Sequence, residues 1–223
     1  VMDQLKQEKY QVLEVKKGER VKKAPLPFIT STLQQEASKV LNFSTQKTMR
    51  LAQQLYEGID LKGAGTVGLI TYLRTDSTRI SEEADAAARD YIGTTYGAEY
   101  VAKTVAAKKS NAKIQDAHEA IRPSDITRTP QAMKESLSRD QFRLYQLIWK
   151  RFTASRMQPA KYETTAVKIG AGEYRFSVSA SKIAFDGFMS VYTNDEDEKA
   201  ESNVLLKSID KDTKLTFQEF DEK

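Results

Sequence analysis

Residues 138–169 read SRDQFRLYQLIWKRFTASRMQPAKYETTAVKI. Up to Met157 the apolar side chains recur at helical spacing. Phe142, Tyr145, Trp149 and Phe152 form one stripe, and Leu144, Leu147 and Ile148 widen it. Ser138 stands where an N-cap belongs, because its hydroxyl can accept one of the unpaired amides of the first turn. Beyond Pro159 the period changes, and the β-branched run 165–169 reads as strand. The stretch therefore predicts a long helix that closes a helical region, followed by sheet. A stripe this wide is read as core rather than as a platform for stacking bases.

Working outward, residues 31–157 carry further helix signals. Thr32 with Gln35 resembles a capping box for a helix to about Leu41. Ser44 opens a second, with Met49, Ala52, Leu55 and Tyr56 at helical spacing and Gly58 as its stop. Ser81 precedes Glu82 and Glu83, with Ala84, Ala87, Ala88, Tyr91 and Ile92 as one apolar face, and Pro130 opens another helix. Both ends of the chain look different. Val12, Leu13 and Val15 read as strand, a basic run follows, and Pro25-Leu26-Pro27 breaks the pattern. On the far side, 174–180, 183–192, 204–209 and 215–217 read as strands, and the acidic run 195–198 as a solvated loop. The expectation is an α+β fold: a helical domain at 32–158 inserted into a β-rich domain made of 1–31 and 159–223. The opening at Val1, already strand-like, suggests a piece of a longer chain.

Composition narrows the chemistry. The 223 residues include no Cys and one His, which excludes disulfides, Cys-ligated metals, thiol catalysis and His-rich metal sites. No apolar run is long enough to cross a membrane, and no charged-then-apolar leader is present, so a cytoplasmic protein is expected. Charge is uneven. Residues 191–223 hold ten acids against five bases, whereas 1–190 hold 30 bases against 21 acids. A basic body suits a polyanionic partner.

Residues 63–68, Gly-Ala-Gly-Thr-Val-Gly, match G-x-G-x-x-G literally. A dinucleotide fingerprint follows a strand and opens a helix; this one follows a helix and leads into Leu69-Ile70-Thr71-Tyr72. It is read as a loop, and no nucleotide site is expected. The segment 68–77, Gly-Leu-Ile-Thr-Tyr-Leu-Arg-Thr-Asp-Ser, carries more. If it is extended, Tyr72 and Arg74 face one side. A phenol with a pKa near ~10 is a poor nucleophile at neutral pH, and a guanidinium favours its ionised form and clamps phosphate. The pair suits phosphoryl transfer onto tyrosine; the alternative is a packed tyrosine with Arg74 paired to Asp76. A second cluster, 115–123, contains His118 and Arg122, which would share a face if the segment were helical. They could supply a proton carrier and an anion clamp, or a structural histidine.

Segment 68–77 resembles the tyrosine motif G-x-I-T-Y-x-R-T-D-S of type IA DNA topoisomerases, and 117–123 resembles that family's A-H-E-A-I-R-P. Residues 27–32, 53–58 and 144–161 are similar to the bacterial topoisomerase I branch rather than to topoisomerase III. The resemblance implies ATP-independent relaxation of negatively supercoiled DNA by a toroidal enzyme. Tyr72 would form a 5′-phosphotyrosine, Arg74 would contact the scissile phosphate, and His118 would position groups or move a proton. Arg122 would lie nearby, and Thr71 would support the site. It also implies DNA as partner, single-stranded at the cleavage site, with a monomeric protein and no membrane. Mg²⁺ is implied too, bound by a Toprim domain that has no counterpart here, so this segment alone is expected to be inactive. The rival readings are a topoisomerase III or reverse gyrase piece, or a non-catalytic helix-turn-helix module formed by helices 33–41 and 45–57.

Overall fold

The computed structural model describes residues 5, 7–61, 63, 65–103, 118–193, 210 and 212–215. The fold mixes helix and sheet, and the chain divides into two compact units. One comprises Val1–Lys22, Ala160–Asp186 and Thr193–Lys223; the other comprises Lys23–Pro159 and Gly187–Tyr192.

The first unit is an antiparallel sheet of β1 (Tyr10–Lys22), β4 (Ala160–Ala171) and β5 (Tyr174–Phe185), with β4 in the centre. Register runs from Tyr10↔Ala171 to Lys22↔Ala160, with an irregularity between Val12 and Glu14 that leaves Leu13 exposed. Val12 and Val167 are buried, and Val15, Ile169, Val178 and Ala180 pack against them on one face. The strands run 12 or 13 residues, well past the apolar runs that announced them. Once register is set, the hydrogen-bond ladder continues through polar residues such as Glu163, Ser181 and Lys182.

One strand expectation fails. Residues 183–192 do not form a single strand: β5 stops at Phe185, Gly187 adopts φ +52, and Gly187–Ser190 is a 3₁₀ turn. A Cβ on Gly187 would lie 2.5 Å from the Gln158 carbonyl oxygen, so the chain turns where only glycine fits. Phe188, Met189, Val191 and Tyr192 are then buried in the helical unit. An apolar run signals burial, but only its period signals strand, and this run has none. The expected acidic loop 195–198 and strand 204–209 lie outside the described residues, as do residues 216 and 217.

The second unit is built on α1 (Thr30–Leu41), α2 (Thr45–Glu57) and α5 (Arg139–Ser155), which pack on one another. The unit also holds the short strands β2 (Ile59–Leu61) and β3 (Gly65–Val67), α3 (Glu82–Thr95) and the one-turn α4 (Pro130–Met133). Tyr145, Ile148 and Phe152 of α5 are fully buried, along with Leu33 and Ala37 of α1 and Ala52 and Leu55 of α2. Each large apolar side chain so buried is worth about 1.5–3 kcal/mol. The polar ends of the buried rings are satisfied: Tyr145 Oη donates to the Arg128 carbonyl at 2.6 Å, and Trp149 Nε1 to that of Ile126 at 2.9 Å. Ser44, Ser81, Thr129 and Ser138 cap α2, α3, α4 and α5 through their hydroxyls. In α3 the buried residues are Ala88 and Ile92, while Ala87 faces solvent. Helix α1 begins three residues earlier than the capping-box reading. Its N-cap is Ile29, and Thr32 reaches back to accept the Ile29 amide at 3.0 Å.

Candidate active site

The glycine-rich stretch makes the turn that delivers the tyrosine segment. Helix α2 ends at Gly58, at φ +132, and β2 and β3 form an antiparallel hairpin pairing Ile59↔Val67 and Leu61↔Gly65. No helix follows the glycines, so the phosphate-cradling geometry of a dinucleotide fold is absent here. The hairpin returns Gly68 against the last turn of α2, where a Cβ would lie 2.7 Å from the Tyr56 carbonyl oxygen. The Leu69 amide donates to the Leu55 carbonyl at 2.7 Å.

From Thr71 to Arg74 the chain bends, at Thr71, Leu73 and Arg74, and forms no regular strand; a single bridge joins Ile70 to Pro123. Exposure alternates: Tyr72, Arg74 and Asp76 are exposed, while Leu73, Thr75 and Ser77 are buried. Tyr72 and Arg74 thus share the exposed side of the segment, although the bends mean that strand geometry is not what puts them there. Two threonine hydroxyls hold the segment down. Thr71 Oγ1 donates to the Ala120 carbonyl at 2.7 Å and accepts the Arg122 amide at 3.0 Å. Thr30 Oγ1, in the first turn of α1, donates to the Leu73 carbonyl at 2.8 Å and accepts the Thr75 amide at 2.9 Å.

The histidine segment is not helical. Residues 118–120 and 122 carry no regular structure, and Ile121 and Pro123 form isolated bridges. Its amides are spent on distant partners: Ala120 on the Arg79 carbonyl, Ile121 on that of Phe28, Arg122 on Thr71, and Ser124 on the Leu69 carbonyl. None is left for the i to i−4 bonds a helix requires. The helical face shared by His118 and Arg122 therefore does not exist. His118 meets the Tyr72 ring, with centroids 6.2 Å apart. Arg122 turns to Glu119, donating to Oε2 through Nε at 2.9 Å and Nη2 at 2.6 Å, and to the Pro123 carbonyl at 3.0 Å. Burial pushes the Glu119 carboxyl up, but the Arg122 bonds and charge, helped by Ser81 and Arg79, outweigh it and hold it below its usual range.

A cleft of about 460 Å³ opens beside these residues, lined by Ile29, Thr30, Ser31, Arg74, Thr75, Asp76 and His118. Among the described residues no hydrogen bond or ion pair engages the Arg74 guanidinium, so it is not paired with Asp76 and its five donors remain available for an anion. Tyr72 is 42% exposed and its hydroxyl is likewise unbonded among the described residues. Among those residues no group of three or more His, Cys, Asp or Glu side chains could hold a metal. Tyr56 is the neighbour that periodicity did not single out. Its spacing marks it only as part of an apolar helix face, yet its ring lies edge-on to Tyr72 at 5.4 Å.

The chain matches the DNA topoisomerase family over residues 1–223. It is also similar to the full-length topoisomerase I of Thermotoga maritima solved in a monoclinic crystal form. The TM-score is 0.76 and the identity 42%, covering 86% of this chain and 31% of that one. The chain thus spans about a third of the length of that structure. On a whole-chain family match, it belongs to the bacterial type IA DNA topoisomerases.

Proposed function

We propose that the chain carries the nucleophile of a DNA-relaxing enzyme, with Tyr72 attacking a backbone phosphate of single-stranded DNA. The supporting observation is an exposed tyrosine in ring contact with His118, next to a cleft that contains an uncommitted arginine. In the proposed reaction Tyr72 Oη bonds to phosphorus and the bond to the 3′-oxygen breaks. The products are a 5′-phosphotyrosine and a 3′-hydroxyl, which gains a proton as the phenol loses one. Arg74 binds the phosphate oxygens, and its fixed donors match their geometry. His118 is the titratable group beside the tyrosine and serves as positioner or proton carrier. Thr71 and Arg122 support the site through the bonds described above. One phosphoester is exchanged for another, so the 3′-hydroxyl can reverse the step without a nucleotide once a strand has passed.

In this reading residues 32–158 are a helical domain inserted into a β-rich arch formed by 1–31 and 159–223. The chain works as a monomer in the cytoplasm. The side chains described here do not form a Mg²⁺ site, and no step above passes through one. Mg²⁺ in the intact enzyme would be held by a Toprim domain, and this chain alone would not cleave DNA. The test uses the full-length protein with negatively supercoiled plasmid, Mg²⁺ and no nucleotide. Tyr72→Phe should abolish both relaxation and the covalent protein–DNA adduct. Relaxation that survives the substitution would refute the proposal.

A further inference from the structure

Tyr56 sits in the last turn of α2 with 39% of its surface exposed, and its nearest aromatic contact is Tyr72. The two rings meet at 66°, edge to face, an arrangement that the opposite charges of ring edge and ring face favour. The backbone fixes this meeting. The Leu69 amide is bonded to the Leu55 carbonyl, and Gly68 lies so close to the Tyr56 carbonyl that no side chain could intervene. Among the described residues neither tyrosine hydroxyl has a hydrogen-bond partner. Among the described residues, the ring contacts of the Tyr72 side chain are with Tyr56 and His118. A half-exposed ring contributes little to the core, so the cost of removing Tyr56 should fall on Tyr72 rather than on the fold.

We infer that Tyr56 is a positioning residue for Tyr72. Its ring holds the Tyr72 ring in the rotamer that aims the hydroxyl at the phosphate, and it touches neither phosphate nor leaving group. The inference rests on the reading of Tyr72 as nucleophile. In-line attack tolerates little misalignment, and a misplacement of about 1 Å can cost up to about 100-fold. An edge-to-face pair accounts for roughly two- to tenfold of rate. Loss of the Tyr56 ring should thus slow cleavage about tenfold. Cleavage and resealing share one transition state, and the Tyr56 ring meets the Tyr72 ring rather than its oxygen, so it bears equally on the free and the esterified tyrosine. Both rates should fall by the same factor and the equilibrium share of covalent adduct should stay constant.

The experiment uses the full-length protein, Mg²⁺ and a saturating single-stranded oligonucleotide bearing a cleavage site. Single-turnover adduct formation and resealing are measured beside oligonucleotide affinity and the thermal midpoint. Tyr56→Ala and Tyr56→Leu should each slow both directions about tenfold with unchanged affinity and midpoint, and Tyr56→Phe should react like wild type. Wild-type rates in the Leu variant, or a loss explained by weaker binding or lower thermal stability, would overturn the inference. A slow Tyr56→Phe would overturn it as well, because the hydroxyl would then be the working group. Tyr72→Phe is run in parallel: adduct formation in that variant would overturn the nucleophile assignment instead.

Discussion

Thr71 joins the tyrosine segment to the histidine segment through one hydroxyl, which donates to the Ala120 carbonyl at 2.7 Å and accepts the Arg122 amide at 3.0 Å. Thr71→Val keeps the shape and strands both backbone groups. It should cost about 1–3 kcal/mol by denaturant unfolding of this chain, and Thr71→Ser should recover most of that. In the full-length protein the Val variant should also form less adduct. An unchanged midpoint in Thr71→Val would show that the bridge contributes nothing.

Arg74 should behave oppositely. It is exposed and has no partner among the described residues, so Arg74→Gln should leave stability within about 0.5 kcal/mol of wild type. The same variant should lower the rate of adduct formation about 100-fold, the cost of removing a donor aimed at transition-state charge. Arg74→Lys should fall between, since an ammonium keeps the charge but not the fork. Near-normal cleavage by Arg74→Gln would remove Arg74 from the reaction.

Glu119 predicts a pH dependence of stability. Its carboxyl is held below the usual value of 4.5 in the folded chain, so folding is favoured by its ionised form. The stabilisation is complete above about pH 4.5 and is lost as pH falls through the lower folded value. Asp85, paired with Arg89 at 2.6 Å and Arg156 at 2.9 Å, shifts in the same direction and should act likewise. Glu119→Gln should flatten the decline in urea midpoint below pH 4.5 and cost about 1–3 kcal/mol at pH 7. A decline as steep as wild type would place the acid sensitivity elsewhere.

Gly68 is required by close approach rather than by an unusual backbone angle. Gly68→Ala places a methyl 2.7 Å from the Tyr56 carbonyl oxygen, against backbone that cannot swing away. The expected cost is about 1–3 kcal/mol in thermal or denaturant unfolding. A neutral substitution would mean that α2 and the hairpin are not locked together as described.

Helix starts were legible because a cap is a local bond. Ser44, Ser81, Thr129 and Ser138 each capture an amide three residues on, within reach of any sequence reading. The shared exposure of Tyr72 and Arg74 agrees with the alternation read from sequence, but the segment bends at Thr71, Leu73 and Arg74 instead of running as a strand. The conformation at His118 was not legible. Helical spacing between His118 and Arg122 is a local argument, whereas the amides of 120–122 and 124 are claimed by Arg79, Phe28, Thr71 and Leu69. The uncommitted state of Arg74 and the nearness of Tyr56 to Tyr72 were hidden similarly, because both depend on how α2, the hairpin and the irregular segments meet. The long strands outran their apolar signal because ladder bonds ignore side-chain type.

The bonds that assemble the site leap far along the chain: 43 residues from Thr30 to Leu73, 49 from Thr71 to Ala120, and 56 from Gly68 to Ser124. During synthesis, therefore, the ribosome releases Tyr72 after Thr30 and Tyr56 but well before His118, Ala120 and Arg122. A half-made chain carries the tyrosine without its His118 contact and without the Ala120 and Arg122 anchors of Thr71. The bonds that join the tyrosine segment to the histidine segment can therefore all be in place only once Ser124 has emerged.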